Sequence, residues 1–304
     1  MITANEYYKE RFGGKVYRVS LNGGMSCPNR DGTIDTRGCI FCSRGGSGDF
    51  ATPADLSVTE QLRIAKSKIA AKLPKNASDF AGYLAYFQAF TNTYAPVDYL
   101  RSLFEAAIED PEVVGLSVAT RPDCISDDCL ELLKELSQKK PIYVELGLQT
   151  AKESTACFIR RGYPLSVFDD AVQRLDSAGI PVITHVILGL PRETFEDMEA
   201  TVRHVFSLPV HGIKLQLLHI LQYTDLADYY HGHENEFLCS TLPAYLSVLE
   251  RIIPLIPDKA VVYRLTGDGP KKDLIAPLWS ADKKNVLNAV HRCLERSTPC
   301  NPKC

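Results

Sequence analysis

Three cysteines in one loop are the residues of this chain best placed to do chemistry. Cys27, Cys39 and Cys42 fall within residues 22–48, NGGMSCPNRDGTIDTRGCIFCSRGGSG, at the spacing C-x11-C-x2-C. Glycines, small polar residues, Arg and Asp flank them, the composition of a loop rather than of a helix or strand. Three thiols can hold three corners of a metal centre. A structural zinc takes four ligands in a closed tetrahedron. A [4Fe–4S] cluster held by three thiolates keeps one iron open to a substrate or cofactor. No second CxxC or CxxH knuckle lies near Cys27, and the next cysteines are Cys124 and Cys129. Spacing leaves three readings open: an open iron–sulfur site, a zinc site, and a redox CxxC or incidental thiols. Phe41, inside the CxxC, favours the first, because a planar apolar side chain beside a cluster suits an adenine ring.

Bulk properties bound the rest. A chain of 304 residues makes one large α/β domain or two small ones. Hydrophobic residues at 45 % and charged residues at 23 % are the composition of an ordinary globular protein. A formal net charge of −3 argues against broad nonspecific nucleic-acid binding and leaves room for a local basic patch. Ten irregularly spaced cysteines fit a reducing cytosol rather than a disulfide scaffold. MITANEYYKERF lacks the apolar core of a signal peptide, and no apolar run has the length to span a bilayer. The expectation is a cytoplasmic protein with no membrane partner.

The elements that must position the thiols follow from periodicity. Residues 16–21, VYRVSL, alternate as a strand, and the cysteine loop follows directly. That puts the loop at the C-terminal mouth of a strand, where parallel β/α barrels keep their active sites. Further strands are predicted at 82–88, 113–119, 142–148, 181–188 and 212–220, each followed by a helix or by a loop and a helix. Helices are predicted at 59–75, 97–108, 127–138, 166–178, 195–206, 242–256 and 282–295. The order predicts an α/β fold with a (β/α)6 arrangement, an open three-quarter relative of the eight-stranded barrel. One domain over 1–304 is expected, with a barrel core at about 16–220 and the cluster loop at 22–48. A C-terminal helical extension at about 221–295 and a disordered tail at 296–304, holding Cys300 and Cys304, complete it.

Polar residues inside predicted strands need partners. Glu145 and Gln149 interrupt YVELGLQ, and Lys214 and Gln216 alternate along GIKLQLLHI. Lys68, Lys72 and Lys75 share one helix face, which reads as a solvated face or as a docking stripe for RNA phosphates. His231, His233, Glu234 and Glu236 sit in a polar loop and read as solvated rather than metal-binding.

The segments CPNRDGT, GCIFC and GSGDF resemble the YtqA/YhcC-type radical S-adenosylmethionine (SAM) proteins, and the resemblance runs from about Tyr7 to about Leu294. The chain is more distantly similar to the catalytic subunit of Elongator and to oxygen-independent coproporphyrinogen oxidase. The resemblance implies a partial TIM-type barrel of the radical SAM type. It implies that Cys27, Cys39 and Cys42 hold a [4Fe–4S] cluster whose fourth iron binds the amino and carboxylate groups of SAM. An electron, from a reductant such as flavodoxin or ferredoxin, would cleave SAM to methionine and a 5′-deoxyadenosyl radical that takes a hydrogen from the substrate. The cofactors do the hard chemistry and the protein positions them.

The same resemblance names site residues. Gln149 matches a Gln that binds the SAM ribose in coproporphyrinogen oxidase, and Arg161 matches an Arg that helps hold SAM there. Gln88 stands in the turn that binds the SAM amino group in many relatives, although the glycines of that turn are absent. ILGLPRET resembles the GLPGET turn that approaches the adenine, and His185 replaces an acidic residue that some relatives use for the ribose. TRPD resembles an Elongator segment and aims Arg121 and Asp123 at the barrel mouth. With Lys214 and Gln216 these are the candidate substrate contacts. The substrate implied is a modified uridine at the tRNA wobble position, 5-carboxymethylaminomethyluridine matured toward 5-aminomethyluridine, read in the anticodon region on splayed bases. Lys271, Lys272, Lys283 and Lys284 join Lys68, Lys72 and Lys75 as candidate phosphate contacts. The alternatives are a radical SAM enzyme acting on a small metabolite or protein side chain, and a non-catalytic zinc-stabilised binding module.

Overall fold

The computed structural model describes residues 1–297. Cys300, Cys304 and the other residues beyond 297 lie outside the described residues.

A short strand β1 (Ile2–Thr3) leads into α1 (Ala4–Phe12) and β2 (Lys15–Leu21). After the cysteine loop come α2 (Val58–Ile69), β3 (Phe80–Phe87), α3 (Val97–Ile108), β4 (Val113–Thr120) and α4 (Asp127–Ser137). Next are β5 (Ile142–Gln149), α5 (Glu153–Phe158), α6 (Leu165–Ser177), β6 (Val182–Leu188) and α7 (Phe195–Ser207). The chain closes with β7 (Gly212–Leu217), β8 (Ile220–Leu221), α8 (Asp225–Tyr230), α9 (Leu242–Ile252), β9 (Val261–Arg264), β10 (Leu274–Ala276) and α10 (Lys283–Ser297). Ser or Thr hydroxyls accept from the first turns of α1, α2, α4, α7, α8 and α9, satisfying backbone N–H groups that have no helical partner.

Eight parallel strands form one sheet in the order β1-β9-β7-β6-β5-β4-β3-β2. The six expected strands are all present, consecutive from β7 to the edge strand β2, curled into a half-barrel with helices outside. β1 and β9 extend it at one edge, where Ile2 pairs with Val261 and Thr3 with Val262. The segment 212–220 breaks at Leu218 and His219, and β8 pairs antiparallel with β10 instead. The helix expected at 59–75 stops at Ile69 and tightens into a 3-10 turn, Ala70–Lys72. The last helix runs to Ser297, two residues beyond the expected 295.

Alternation sorts the strand residues into two layers. In β5, Val144, Leu146 and Leu148 are fully buried against the helices, while Glu145, Gly147 and Gln149 face the interior. Between sheet and helices the core includes Phe87, Phe104 and Phe168; each such side chain stabilises by roughly 1.5–3 kcal/mol. At the strands' N-terminal end, α1 brings Tyr7 and Tyr8 against Tyr143, Tyr263 and His211. Tyr7 and Tyr143 share a hydroxyl hydrogen bond of 3.0 Å. This aromatic plug closes the bottom, so the interior opens toward the cysteine loop. No described helix is long and apolar enough to cross a membrane.

Candidate active site

A cavity of about 870 Å³ occupies the inside of the curled sheet. Its walls carry nine Lys and Arg side chains against three Asp and Glu, in a chain whose formal net charge is −3. Positive charge is therefore concentrated where a ligand would sit.

Cys27, Cys39, Cys42 and Phe41 all line this cavity at its mouth. Their loop takes its shape from side chains that donate to main-chain carbonyls. The buried Asn29 amide donates to the carbonyls of Arg160 (2.8 Å) and Arg161 (3.3 Å). Arg30 donates to the carbonyls of Cys42 (3.0 Å) and Ser43 (2.7 Å). Gly38 turns the loop at φ +79°, and a Cβ there would stand 2.8 Å from Arg30 Nε, so the turn requires glycine.

Behind the loop, Arg161 is 1 % exposed. It donates to the carbonyls of Thr150 (2.6 Å), Leu148 (3.3 Å) and Tyr163 (3.0 Å) and pairs with Glu153 at 3.2 Å. The expected SAM contact is thus mostly committed to pinning the end of β5. Arg121 grips Asp123 with two bonds of 2.9 and 2.7 Å and donates to the Arg161 carbonyl at 2.9 Å. Arg121 lines the cavity; Asp123 does not, because it has turned to its neighbour.

The donor set fits an iron–sulfur cluster. Cys27, Cys39 and Cys42 share one cavity mouth, and three thiolates are the set that holds a [4Fe–4S] cluster while leaving its fourth iron open. Burial pushes the Cys39 thiol up to about 12 and Cys42 also up, so both stay protonated until a metal centre displaces the protons. In the loop after α8, His233 stacks on Tyr229 at 4.2 Å and Glu236 accepts from the Tyr229 hydroxyl at 2.6 Å.

Gln88, Gln149 and His185 line the same cavity. Gln88 accepts from Ser20 Oγ at 3.1 Å and donates to the Ser47 carbonyl at 2.7 Å, tying β2 and β3 to the cysteine loop. Gln149 ends β5 in the left-handed region, at φ +69°. His185 sits deeper. Burial and then Lys214 lower its pKa to about 4, so the ring is neutral at pH 7. Its Nε2–H donates to Glu145 at 2.6 Å and its Nδ1 accepts from Gln216 at 3.0 Å, partners that set this tautomer. Of the expected phosphate contacts, Lys72, Lys271 and Lys283 reach the cavity wall. Lys68, Lys75, Lys272 and Lys284 are exposed elsewhere, so the helix stripe does not act as one unit.

Glu145, Arg18 and Arg264 were not expected as site residues. Glu145 is 1 % exposed, accepts from Ser117 Oγ (2.6 Å), His185 and Lys214, and forms an ion pair with Arg18 Nη1 at 3.2 Å. Burial alone would raise its carboxyl; Arg18, Lys214 and His185 overrule that and hold it well below the usual carboxylate range. Arg18 and Lys214 both lie over the ring of Tyr86, 4.5 and 4.6 Å from its centre. An Arg at the inward position of VYRVSL was the visible signal for this cluster.

Comparison with known proteins agrees with this geometry. Residues 36–205 match the Radical SAM superfamily and residues 210–296 the Radical_SAM C-terminal domain. The chain is 42 % identical over 293 residues to the protein YtqA of Bacillus subtilis, covering 96 % of this chain and 89 % of that one. It is 36 % identical over 285 residues to YhcC of Escherichia coli, covering 93 % and 89 %. Its fold is similar to an N-terminally truncated archaeal Elp3 of Methanocaldococcus infernus, with TM-score 0.64 and 15 % identity, over 90 % of this chain and 64 % of that one. The likeness to that structure concerns the fold alone. The zinc-module reading falls away, and the chain belongs to the radical SAM superfamily as an enzyme whose family implies a [4Fe–4S] cluster and SAM.

Proposed function

We propose that this radical SAM enzyme modifies the side chain of a wobble uridine in tRNA, taking 5-carboxymethylaminomethyluridine toward 5-aminomethyluridine. The observation that carries the reading is the surplus of nine basic over three acidic side chains in the cavity of a net-acidic chain. Such a wall attracts a polyanion whose target base is splayed out of its stack. A volume of about 870 Å³ has room for a nucleoside beside SAM. The motif resemblance to Elongator supports the same substrate class.

In this reading Cys27, Cys39 and Cys42 hold the cluster. Phe41, Gln88 and Gln149 contact SAM, with Arg161 and His185 supporting the wall behind it. When bound, the cluster and SAM supply the reductive cleavage that yields a 5′-deoxyadenosyl radical. The protein's own residues orient the substrate, exclude water and keep the loop closed. A flavodoxin- or ferredoxin-type donor provides the electron, and the reaction belongs in the cytoplasm. Residues 1–304 act as one domain.

The test is anaerobic reconstitution, then dithionite and SAM, with chromatography for 5′-deoxyadenosine and nucleoside mass spectrometry of tRNA from cells lacking the protein. Deoxyadenosine that depends on all three cysteines, with the expected nucleoside change, is the predicted result. Deoxyadenosine without any change in that tRNA would move the substrate to a small metabolite or a protein side chain.

A further inference from the structure

We propose that the closed end of the cavity is a carboxylate seat, in which Arg18 and Lys214, backed by Arg264, hold a carboxylate of the substrate. The proposal rests on the radical SAM reading of the site and names the chemical group that the deep end recognises.

The first argument is charge. Arg18 and Lys214 converge on a single carboxylate, Glu145. Glu145 also takes Ser117 and His185, so its two oxygens already accept three hydrogen bonds besides the Arg18 ion pair. Arg18 meets it through one nitrogen, Nη1, although its planar fork is shaped to grip a carboxylate with two. Arg264 stands across from Lys214 in register. Its own acidic neighbour, Asp268, is 3.9 Å away and is held by Lys283 at 2.8 Å. Arg18 and Lys214 thus face one carboxylate in the inner layer, where an excess charge is costly unless a ligand compensates it. Burial and Arg18 push the Lys214 ammonium well below its ordinary range, and a second carboxylate against it would restore the charge.

The second argument is depth. Arg18, Glu145 and Lys214 lie three or four residues before the ends of β2, β5 and β7. At about 3.3 Å per residue that is roughly 10 Å below the mouth that carries the thiols. A group seated there is separate from the mouth, where a cluster on the three thiols would hold the amino-acid end of SAM. Gln216 and His185 line the wall of this layer and add neutral hydrogen-bonding groups.

The experiment titrates acetate, and separately inorganic phosphate, into cluster-loaded protein saturated with SAM, by isothermal calorimetry at constant ionic strength. Acetate should bind, and Arg18→Gln and Lys214→Met should each weaken it at least tenfold. Glu145→Gln should tighten it, because the resident carboxylate no longer competes. The milder Arg264→Gln, at a half-exposed position, should weaken it about threefold if either buried variant fails to fold. SAM affinity should change less than twofold in every variant. Equal weakening in Glu145→Gln would make the cluster merely structural and overturn the proposal. A matching loss of SAM affinity in Arg18→Gln would give the seat to SAM itself. Phosphate binding tighter than acetate would give it to a phosphate group. Failure of the wild type to cleave SAM would instead sink the function proposed above and leave the acetate result standing.

Discussion

At the mouth of the cavity, Asn29, Arg30, Arg121 and Arg161 donate to main-chain carbonyls. A few strand residues below, Arg18 and Lys214 meet a side chain, Glu145. The residue types are alike, yet the two layers are built for different work. A carbonyl fixed in the backbone has no other position to take, so a cation spent on it holds the shape of a loop. A carboxylate on a side chain can share its cations with an incoming ligand at little structural cost. The mouth is therefore a rigid frame for the thiols, and the interior is a surface that can exchange partners. The same contrast separates two buried glutamates. Glu145 sits among cations and stays ionised. Glu193 is 4 % exposed and has Thr150 at 2.5 Å with Asp197 nearby; burial raises its pKa to about 7.

The strongest test of this contrast is at the frame. Cys39→Ser should lose iron and acid-labile sulfide and bring 5′-deoxyadenosine to background, while circular dichroism keeps the helical signal. Retained SAM cleavage would break the assignment of the mouth. In the interior, Glu145→Ala leaves the buried Lys214 and the partly buried Arg18 without their carboxylate and should cost about 3 kcal/mol in urea unfolding. A cost below about 1 kcal/mol would show that the layer is not held by its charges. Adding Lys214→Met to that variant should recover part of the loss.

Glu193 sharpens the comparison through pH. Its folded pKa, about 7, lies above the ordinary value of 4.5, so the folded chain keeps a proton that the unfolded chain has released. The stability it contributes is full below about pH 4.5 and is lost as pH rises through 7, by about 3 kcal/mol in all. Glu193→Gln should remove that slope, gaining on the wild type between pH 5 and pH 8 in thermal melts. A constant difference across that range contradicts the shift. The smallest effect belongs to Asn29→Ala, which frees the carbonyls of Arg160 and Arg161 and should cost about 1–2 kcal/mol. Faster loss of iron on gel filtration should accompany it.

The central strands were legible because each is a continuous apolar run of seven or eight residues or a short alternating one, bounded by turn residues. β1 and β9 were not, since two and four residues give no period, and only pairing, of β1 with β9 and of β9 with β7, makes them strands. The break after Leu217 was hidden for a related reason: Leu218, His219 and Ile220 continue the pattern, but β8 finds its partner in β10, more than fifty residues on. The local pair Arg121 and Asp123 could be read from TRPD, and its closure explains why Asp123 leaves the cavity wall. Glu145 was visible as a polar residue in need of partners. Those partners lie on β2, β4, β6 and β7, and no spacing rule connects them.

The sequence by itself determined the three thiols, the loop that carries them and the alternation that sends Arg18, Glu145 and Lys214 inward. These depend on local chemistry and on a period of two, which any short stretch of chain displays. Only the tertiary structure decided what the inward charges meet. Curling the parallel sheet brings residues more than a hundred positions apart into one layer of low dielectric. There the balance of nearby cations, rather than residue type, leaves Glu145 ionised, His185 neutral and the wall net positive.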